Sequence, residues 1–556
     1  MGAPIGIGAL FYIASLSYNA LCLAPPFQVK AIAGRWIGRV QLLVMVAAVA
    51  ASIAFWSYYA YLSYTHFTDA FFDIGQPAYN MYYVLHYLPL SDPLQFLAYA
   101  QHIAIDQLLV LPAFAVYQSS LTLLFVQAAV VSLTGLLVFY ITVNLTGSGK
   151  VGLILGMAYL ASPAVTGLLV FDYHAEFLIA PFFMLTFYFY MRKRWSFFMP
   201  SLLLLLLAID TVVPIVFTLG LGLLYYEAIY RRNNRVDAKR IKMALSIVIL
   251  SGLFFLFYAA VQTSLLIGYG TGAYSTPLYL KVVPYEPVLL DSLLGRQAVA
   301  IPYFNTSTYP VLLLALGRQG VLSDPPVLVF GLFAGLLILV PLVLVDPLLT
   351  AIIDLPWLAE LLSGHLLFGE IGNQYLSYVI CGTLVSATLG FLLMKERRGV
   401  LSIIGFMRGR GKAALSRRST LFMSFMIAAV FSMSMAAYTV LHQVAFAYML
   451  SGASQGRAQC IAQLNSILGR VPQNSSVLSQ AFVFPHLAGM EHTETFEDYG
   501  PYFNATYAVV DSGSCMAANY GLGWPNYSAG VQLYLNRNGY QLYMQNGSAS
   551  LYRRAS

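Results

Sequence analysis

Residues 40–62 read VQLLVMVAAVAASIAFWSYYAYL, and the segment His66-Phe-Thr-Asp69-Ala-Phe-Phe-Asp73-Ile-Gly75 follows within a few residues. The first run has the length and apolar character of a helix that crosses a bilayer, which takes about 20 residues. Two carboxylates just beyond it would lie close to lipid, where ionisable side chains are costly and commonly functional. The stretch therefore predicts a membrane protein with candidate chemistry at the end of an early span.

The remainder of the sequence has the same character. Of its 556 residues, 59% are hydrophobic and 9% are charged, against roughly 25% charged in ordinary soluble domains. The predicted fold class is an all-α polytopic membrane protein, because the strands of a barrel would alternate apolar with polar residues. Apolar runs of about the required length predict about twelve spans. They are 3–24, 40–62, 121–143, 151–170, 176–191, 195–209, 211–230, 243–267, 326–345, 347–363, 376–394 and 420–443.

Some of these spans admit a second interpretation. The first begins so near the terminus that an uncleaved signal-anchor competes with a true span. Four others are short or interrupted, so half-spanning or re-entrant segments are expected among them: 176–191, 195–209, 211–230 and 347–363. The last of these carries Asp354 and Glu360, which would face a water-filled cavity if the span is correctly drawn.

Basic residues concentrate in alternate loops of this topology. The formal charge of +7 resembles a nucleic-acid signal, but 21 of the 29 Lys and Arg residues fall on one side. That asymmetry is the positive-inside pattern, which places those loops in the cytoplasm and predicts no nucleic-acid partner. The segments concerned are 30–39, 150, 192–194, 231–242 and 395–418.

The same topology places three polar regions outside the cytoplasm. We expect a multi-pass domain over 1–443 in the cell membrane, with outer loops 63–120 and 268–325, and an extracytoplasmic domain over 444–556. The latter has α/β character, with a helix over 458–468, short buried strands and a hairpin around Asn546-Gly547. Cys460 and Cys515 both fall there, and an oxidising exterior would allow a disulfide between them.

Motifs for common chemistries are missing from the sequence, which has no Walker loop, no GxGxxG, no HExxH and no CxxC. Ionisable residues instead gather at the predicted outer membrane surface. A carboxylate there could act as a general base towards a hydroxyl, or hold a divalent cation that neutralises a phosphate leaving group. The candidates are Asp69, Asp73, His102, Asp172, Tyr173, His174, Glu176, Asp210, His365, Glu370, Asn373 and Tyr375.

Each candidate has a plain alternative. Acids and histidines at helix ends are commonly solvated caps, and Asp69 or Asp210 taken alone fits that description. The turn Asp172-Tyr-His174-Ala-Glu176 is less easily explained so, because it packs three ionisable groups into one short connector.

Several of these motifs resemble those of a family of predicted membrane proteins, domain of unknown function 2079, frequent in archaea and bacteria. Phe72-Asp-Ile-Gly75 resembles its Asp-Leu-Gly signature, and Phe171-Asp-Tyr-His-Ala-Glu176 resembles its Phe-His-x-Glu motif. Gln101-His102, Asn373-Gln-Tyr375 and Val483-Phe-Pro-His486-Leu resemble three further motifs. The chain departs from the family where Ala78 and Tyr79 replace an acid and a Gln, and where the Lys-Glu before Asp210 is missing.

That family is similar to integral-membrane glycosyltransferases of the GT-C fold, which take sugar from a polyprenyl phosphate. The resemblance implies that Asp73 or Asp69 positions or deprotonates the acceptor hydroxyl, and that membrane lipid and a polyprenyl-phosphate sugar donor are the partners. A lipid phosphate would leave, held by a divalent cation, by His174, or by one of the few outer cations, Lys281, Arg296 and Arg318. A transporter or flippase of lipid-linked or small polar substrates, and a membrane scaffold for the tail, are the alternatives.

Overall fold

The computed structural model describes residues 36–67, 72–86, 98–99, 102–170, 173–230, 237–269, 346–356, 377–395, 455–480, 482–490, 492–496, 505–512 and 524–555. Up to residue 395 this part of the chain is mostly helical. The α-helices are α1 (Trp36–Thr65), α2 (Phe72–His86), α3 (Leu111–Val116), α4 (Ser120–Thr146), α5 (Gly149–Leu160), α6 (Pro163–Val170), α7 (Ile179–Met191), α8 (Trp195–Ala208), α9 (Val213–Tyr230), α10 (Ala238–Tyr269), α11 (Pro347–Ile353) and α12 (Ser377–Lys395).

Short elements join these helices at their ends. Strands β1 (Ala98–Tyr99) and β2 (His102–Ile103) pair antiparallel, with Tyr99 opposite His102. The described residues also form three 3-10 helices: η1 (Ile105–Leu109), η2 (Ala175–Leu178) and η3 (Asp210–Val212).

Four described helices are long and apolar enough to cross a bilayer. They match predicted spans at 40–62, 121–143, 211–230 and 243–267. Three shorter apolar helices, Ala175–Met191, Trp195–Ala208 and Ile380–Leu393, fall on three more predicted spans. The predicted spans 3–24, 326–345 and 420–443 lie outside the described residues.

The predicted span over 151–170 is not one continuous helix. The chain forms two helices there, α5 and α6, bent by 40° at a break that includes Ser162. Pro163 follows the break as the first residue of α6. Proline disfavours the helical conformation of the residue before it, which explains why the helix ends at that point. The pair is a broken span or a re-entrant segment.

The helices pack around a common apolar core, and some present an apolar face outward. Helix α4 contacts α1, α5 and α7, while α9 contacts α10 and α11. Leu43 on α1 is 67% exposed, and Leu256 on α10 is 65% exposed. Large exposed apolar faces on helices of this length are expected where a protein meets lipid.

A buried ion pair lies at the end of the bundle where basic residues cluster, which we call the basic end. Arg240 donates from Nη1 to Glu227 Oε1 at 2.8 Å and from Nη2 to the Met191 carbonyl at 2.8 Å. Asp237 pairs with Lys193, and its carboxylate accepts from the backbone N–H of Lys239 at 3.1 Å. These contacts tie the ends of α7 and α9 to the start of α10.

The tail contains one mixed sheet with helices. Its elements are α13 (Gln455–Leu468), β3 (Ser476–Ser479), α14 (Phe484–Leu487), β4 (His492–Thr495), β5 (Tyr507–Asp511), α15 (Trp524–Arg537), β6 (Tyr540–Asn546) and β7 (Ala549–Arg554). The strand order is β4-β3-β5-β7-β6. Strand β3 runs parallel to β4 and β5, whereas β7 runs antiparallel to β5 and β6.

Local predictions for the tail are confirmed. Asn546 pairs with Ala549 across the predicted hairpin turn, and Gly547 has a positive φ of 60°, which glycine adopts without strain. Alternate residues of β5 point to opposite faces of the sheet: Val509 packs on the α13 side and Val510 on the α15 side. The division of the chain at residue 443 stays a prediction.

Candidate functional site

Tail helix α14 packs directly against α2, the helix that begins at the Asp-Ile-Gly signature. The contact centres on Gly75, because a Cβ placed there would overlap the Phe484 ring and lie 2.7 Å from its Cε1 atom. Only glycine allows so close an approach of helix and ring. Two motifs separated by some 400 residues in sequence thus meet in space.

His486 extends this contact to the end of α1. Its imidazole stacks on Tyr64 at a centroid distance of 4.1 Å, and on Phe67 at 4.1 Å. The Ser120 hydroxyl donates to the Pro485 carbonyl at 2.7 Å, which ties the same segment to the start of α4. Burial lowers the pKa of His486 to about 3, so the ring is neutral at physiological pH.

We call the surface between α14 and these helix ends the tail seam; it comprises Tyr64, Phe67, Gly75, Ser120 and residues 484–486. Phe67 belongs to the tail's own core, where it packs with Leu464 and Val477 and is fully buried.

Three buried acids lie on short elements that all contact α8. Each begins or nearly begins a 3-10 helix: Asp106 in η1, Glu176 in η2 and Asp210 in η3. All three 3-10 helices contact α8, and η1 also contacts η2. The three acids are 3%, 3% and 1% exposed. Carboxyl groups are almost never buried to this extent unless they serve a structural or functional purpose.

Gln127 of α4 holds the turn that carries His174 and Glu176. Its Oε1 accepts from the His174 backbone N–H at 2.8 Å, and its Nε2 donates to the Leu168 carbonyl at 2.9 Å. Gln127 lies seven residues into α4, so the turn sits about 10 Å below the helix end. The turn is therefore recessed into the bundle.

Burial also raises the pKa values of two side chains in this region. It raises the pKa of Asp106 to about 8, which makes the neutral acid the main form at pH 7. Burial, and secondarily the charge of Glu176, raise the pKa of Tyr173 above its ordinary value. The hydroxyl of Tyr258 donates to the Leu206 carbonyl of α8 at 2.6 Å.

The structure brings together the elements that carry several predicted residues. Helix α2, whose second residue is Asp73, contacts β1, and β2 with His102 contacts η3 with Asp210. For Asp73 and His102 only the backbone is described. Asp69, Asp172, His365, Glu370, Asn373 and Tyr375 lie outside the described residues, so their roles stay predictions.

The interpretation of Asp210 as a solvated cap is wrong. Only 1% of the residue is exposed. It faces the bundle because η3 packs against α8 and β2.

Sequence reasoning missed Asp106 and Gln127. The signal for Gln127 was an isolated amide inside an otherwise apolar span, where a side chain must find hydrogen-bond partners within the protein. Asp106 falls in the middle of a long loop, and nothing local distinguishes it from a surface acid.

No group of three or more His, Cys, Asp or Glu side chains is arranged to hold a metal ion within the parts of the chain that the structure describes. Four of the predicted acids have side chains outside that set, namely Asp69, Asp73, Asp172 and Glu370. A divalent cation therefore stays a prediction that rests on them.

Fold and site together define a multi-helix membrane protein with buried acids at one end of its bundle. The chain belongs to a family described as predicted membrane proteins, DUF2079, whose profile matches residues 72–538. A crystal structure of ArnT from Cupriavidus metallidurans bound to undecaprenyl phosphate is similar at 11% identity. The match covers 94% of this chain and 99% of that one, with a TM-score of 0.44. No curated protein matches the chain.

Proposed function

We propose that this protein is a GT-C-like glycosyltransferase with about twelve spans, which takes sugar from a polyprenyl phosphate at the outer leaflet. The observation that carries the proposal is that the elements carrying the buried acids Asp106, Glu176 and Asp210 all contact α8. Buried acids that meet in one region are what a single reaction centre requires. The signature helix α2 contacts β1, whose partner strand β2 contacts η3.

The proposed reaction is a displacement at the anomeric carbon of the sugar. The acceptor oxygen forms the new bond, while the bond from the anomeric carbon to the phosphate oxygen breaks. The polyprenyl phosphate leaves with the electron pair of that bond, and the acceptor proton passes to the Asp73 carboxylate, or to Asp69 in its place. A positioned general base contributes typically 10²–10⁴-fold to such a step.

The departing phosphate needs compensation for its charge. His174 and the three predicted outer cations were proposed above, and the tail supplies another candidate. Arg457 of α13 donates to the His66 carbonyl at 3.5 Å, which brings a guanidinium to the end of α1, three residues before Asp69. Arginine suits phosphate because its planar fork can make two hydrogen bonds at once.

Support for an outer location of the site comes from the residues that lie at the two ends of α7 and α9. Helices α7 and α9 run from the acids to the Arg240 network, so the acids and the basic residues occupy opposite ends. If the basic end is cytoplasmic, the acids and the tail face outward. A cysteine probe at position 530 should then be labelled from outside the cell and one at position 236 should not; the reverse pattern would overturn this topology.

Transfer itself is the direct test of function. The purified protein in lipid nanodiscs is supplied with a panel of polyprenyl-phosphate sugars and acceptor lipids, and free polyprenyl phosphate is measured by mass spectrometry. Release that depends on acceptor supports the proposal. Movement of the intact sugar lipid between leaflets of proteoliposomes without release would contradict it.

The second candidate function, transport, is favoured by Asp354 alone. This acid ends α11 and is 5% exposed, and its Oδ2 has no hydrogen-bond partner among the described residues. A Cβ at Gly382 of α12 would overlap its carboxylate. Acids at membrane depth often couple transport to ions or protons. Asp354→Asn should leave transfer intact if the protein is a transferase, whereas a coupled transporter would lose uptake.

A further inference from the structure

Two adjacent side chains in η1 are buried with unused hydrogen-bonding capacity. Asp106 is 3% exposed and Gln107 is 8% exposed. Within the described residues, neither Asp106 Oδ2 nor Gln107 Nε2 has a hydrogen-bond partner. Buried polar atoms without partners are rare and costly, so each calls for an explanation.

The surroundings of this pair restrict what could bind there. The 3-10 helices η2, which carries Glu176, and η3, which carries Asp210, contact α8 as η1 does, and η2 also contacts η1. Phosphate groups are bound by cationic side chains and N–H donors, so a pair that includes a carboxyl group suits an uncharged part of the donor better than its phosphate. A metal ion would need a set of ligands that the described side chains do not provide.

The chemistry of the pair fits a neutral hydroxyl compound. A protonated carboxyl group both donates and accepts, and a glutamine amide donates through Nε2. Burial raises the pKa of Asp106 to about 8, so the protonated form is available at pH 7. Hydroxyl groups, which donate and accept in turn, match this arrangement.

We propose that Asp106 and Gln107 form a subsite that binds hydroxyl groups of the donor sugar. The inference rests on the proposed function and deepens it, since it names the residues that recognise the sugar while the acid of the signature helix acts on the acceptor. Within the described residues Asp106 Oδ2 and Gln107 Nε2 have no hydrogen-bond partner, and sugar hydroxyls would supply one to each.

This proposal predicts an unusual combination of effects. Asp106→Leu and Gln107→Leu keep approximate size but remove the polar groups, so each should raise the unfolding temperature of the protein in nanodiscs. The same variants should raise the KM for the donor about tenfold, as expected for loss of a hydrogen bond to a buried group. Asp106→Asn keeps a neutral hydrogen-bonding group and should restore most of the donor affinity. Asp237→Asn, an acid at the basic end, is the matched control and should leave KM unchanged.

Binding can also be measured without transfer. Monosaccharides in excess should raise the unfolding temperature of the wild type and not that of Asp106→Leu. An unfolding temperature that falls in the Leu variants would show a structural role and overturn the proposal. Unchanged KM, or no stabilisation of the wild type by any monosaccharide, would overturn it as well. Stabilisation by sugar without any transfer would overturn the proposed function and leave the subsite standing.

Discussion

Replacing Gly75 by alanine tests the tail seam with a change of one methyl group. In an unconstrained helix, alanine is more favourable than glycine by roughly 1 kcal/mol. At Gly75 the new Cβ would overlap the Phe484 ring, and overpacking of this kind costs typically 1–3 kcal/mol. Since Phe484 is only 2% exposed, the ring cannot simply swing into solvent. We therefore expect Gly75→Ala to destabilise the protein by up to about 2 kcal/mol.

The assay is thermal unfolding in nanodiscs together with the rate of sugar transfer. Gly530→Ala is the matched control, because this glycine lies in helix α15 with no atom within 4 Å of an added Cβ. It should raise stability by the ordinary helix preference. Phe484→Leu removes the ring edge, so the double variant should be more stable than the sum of the two single changes predicts.

One result would refute this reasoning. If Gly75→Ala is as stable and as active as Gly530→Ala, α14 does not press against α2. A favourable coupling of about 1 kcal/mol or more between the two positions would establish the contact. Loss of transfer that exceeds loss of stability would further indicate that the seam positions the signature helix.

The remaining predictions concern pH, the disulfide and the basic end. Because the pKa of His486 is about 3 when folded and near 6.5 when unfolded, its contribution is present above pH 6.5 and declines as pH falls towards 3. At pH 5 the loss is about 2 kcal/mol, and His486→Phe should abolish that slope in unfolding measurements. Cys460 is in a disulfide; non-reducing peptide mapping should show Cys515 as its partner, and the bond should contribute roughly 2–4 kcal/mol. Arg240→Met should cost roughly 3–5 kcal/mol because it removes the cation that pairs with buried Glu227, and added Glu227→Gln should recover much of it.

Sequence patterns predicted the spans well where composition decides the structure. Residues 40–62 and 121–143 contain long apolar runs, and long helices follow because backbone groups in lipid must be satisfied within the segment. The hairpin at Asn546-Gly547 was predictable from the local sequence as well, since its turn requires a positive φ that glycine readily adopts. The break before Pro163 was missed because mean hydropathy is insensitive to one backbone constraint.

The site was only partly predictable because its residues meet through packing. The turn at 172–176 attracted attention by its density of ionisable groups, and the structure buries His174 and Glu176. Nothing local in the sequence connects Asp106 with Asp210, whose elements η1 and η3 both contact α8 only in the folded chain. Similarly, the tail motif at 483–487 was noticed as a motif, but its place against Gly75 depends on the tertiary fold. The partner of Cys460 is beyond the described residues and stays a prediction.

The central claim is tested most directly by Asp73→Asn in the transfer assay with polyprenyl-phosphate sugar. The change removes the proposed base and preserves side-chain shape, so the account predicts that transfer falls by roughly 10²–10⁴-fold while the unfolding temperature is unchanged. Asp237→Asn provides the matched control for loss of an acid elsewhere. Transfer at the wild-type rate in Asp73→Asn, with both proteins equally folded, would contradict the claim that this carboxylate is the base.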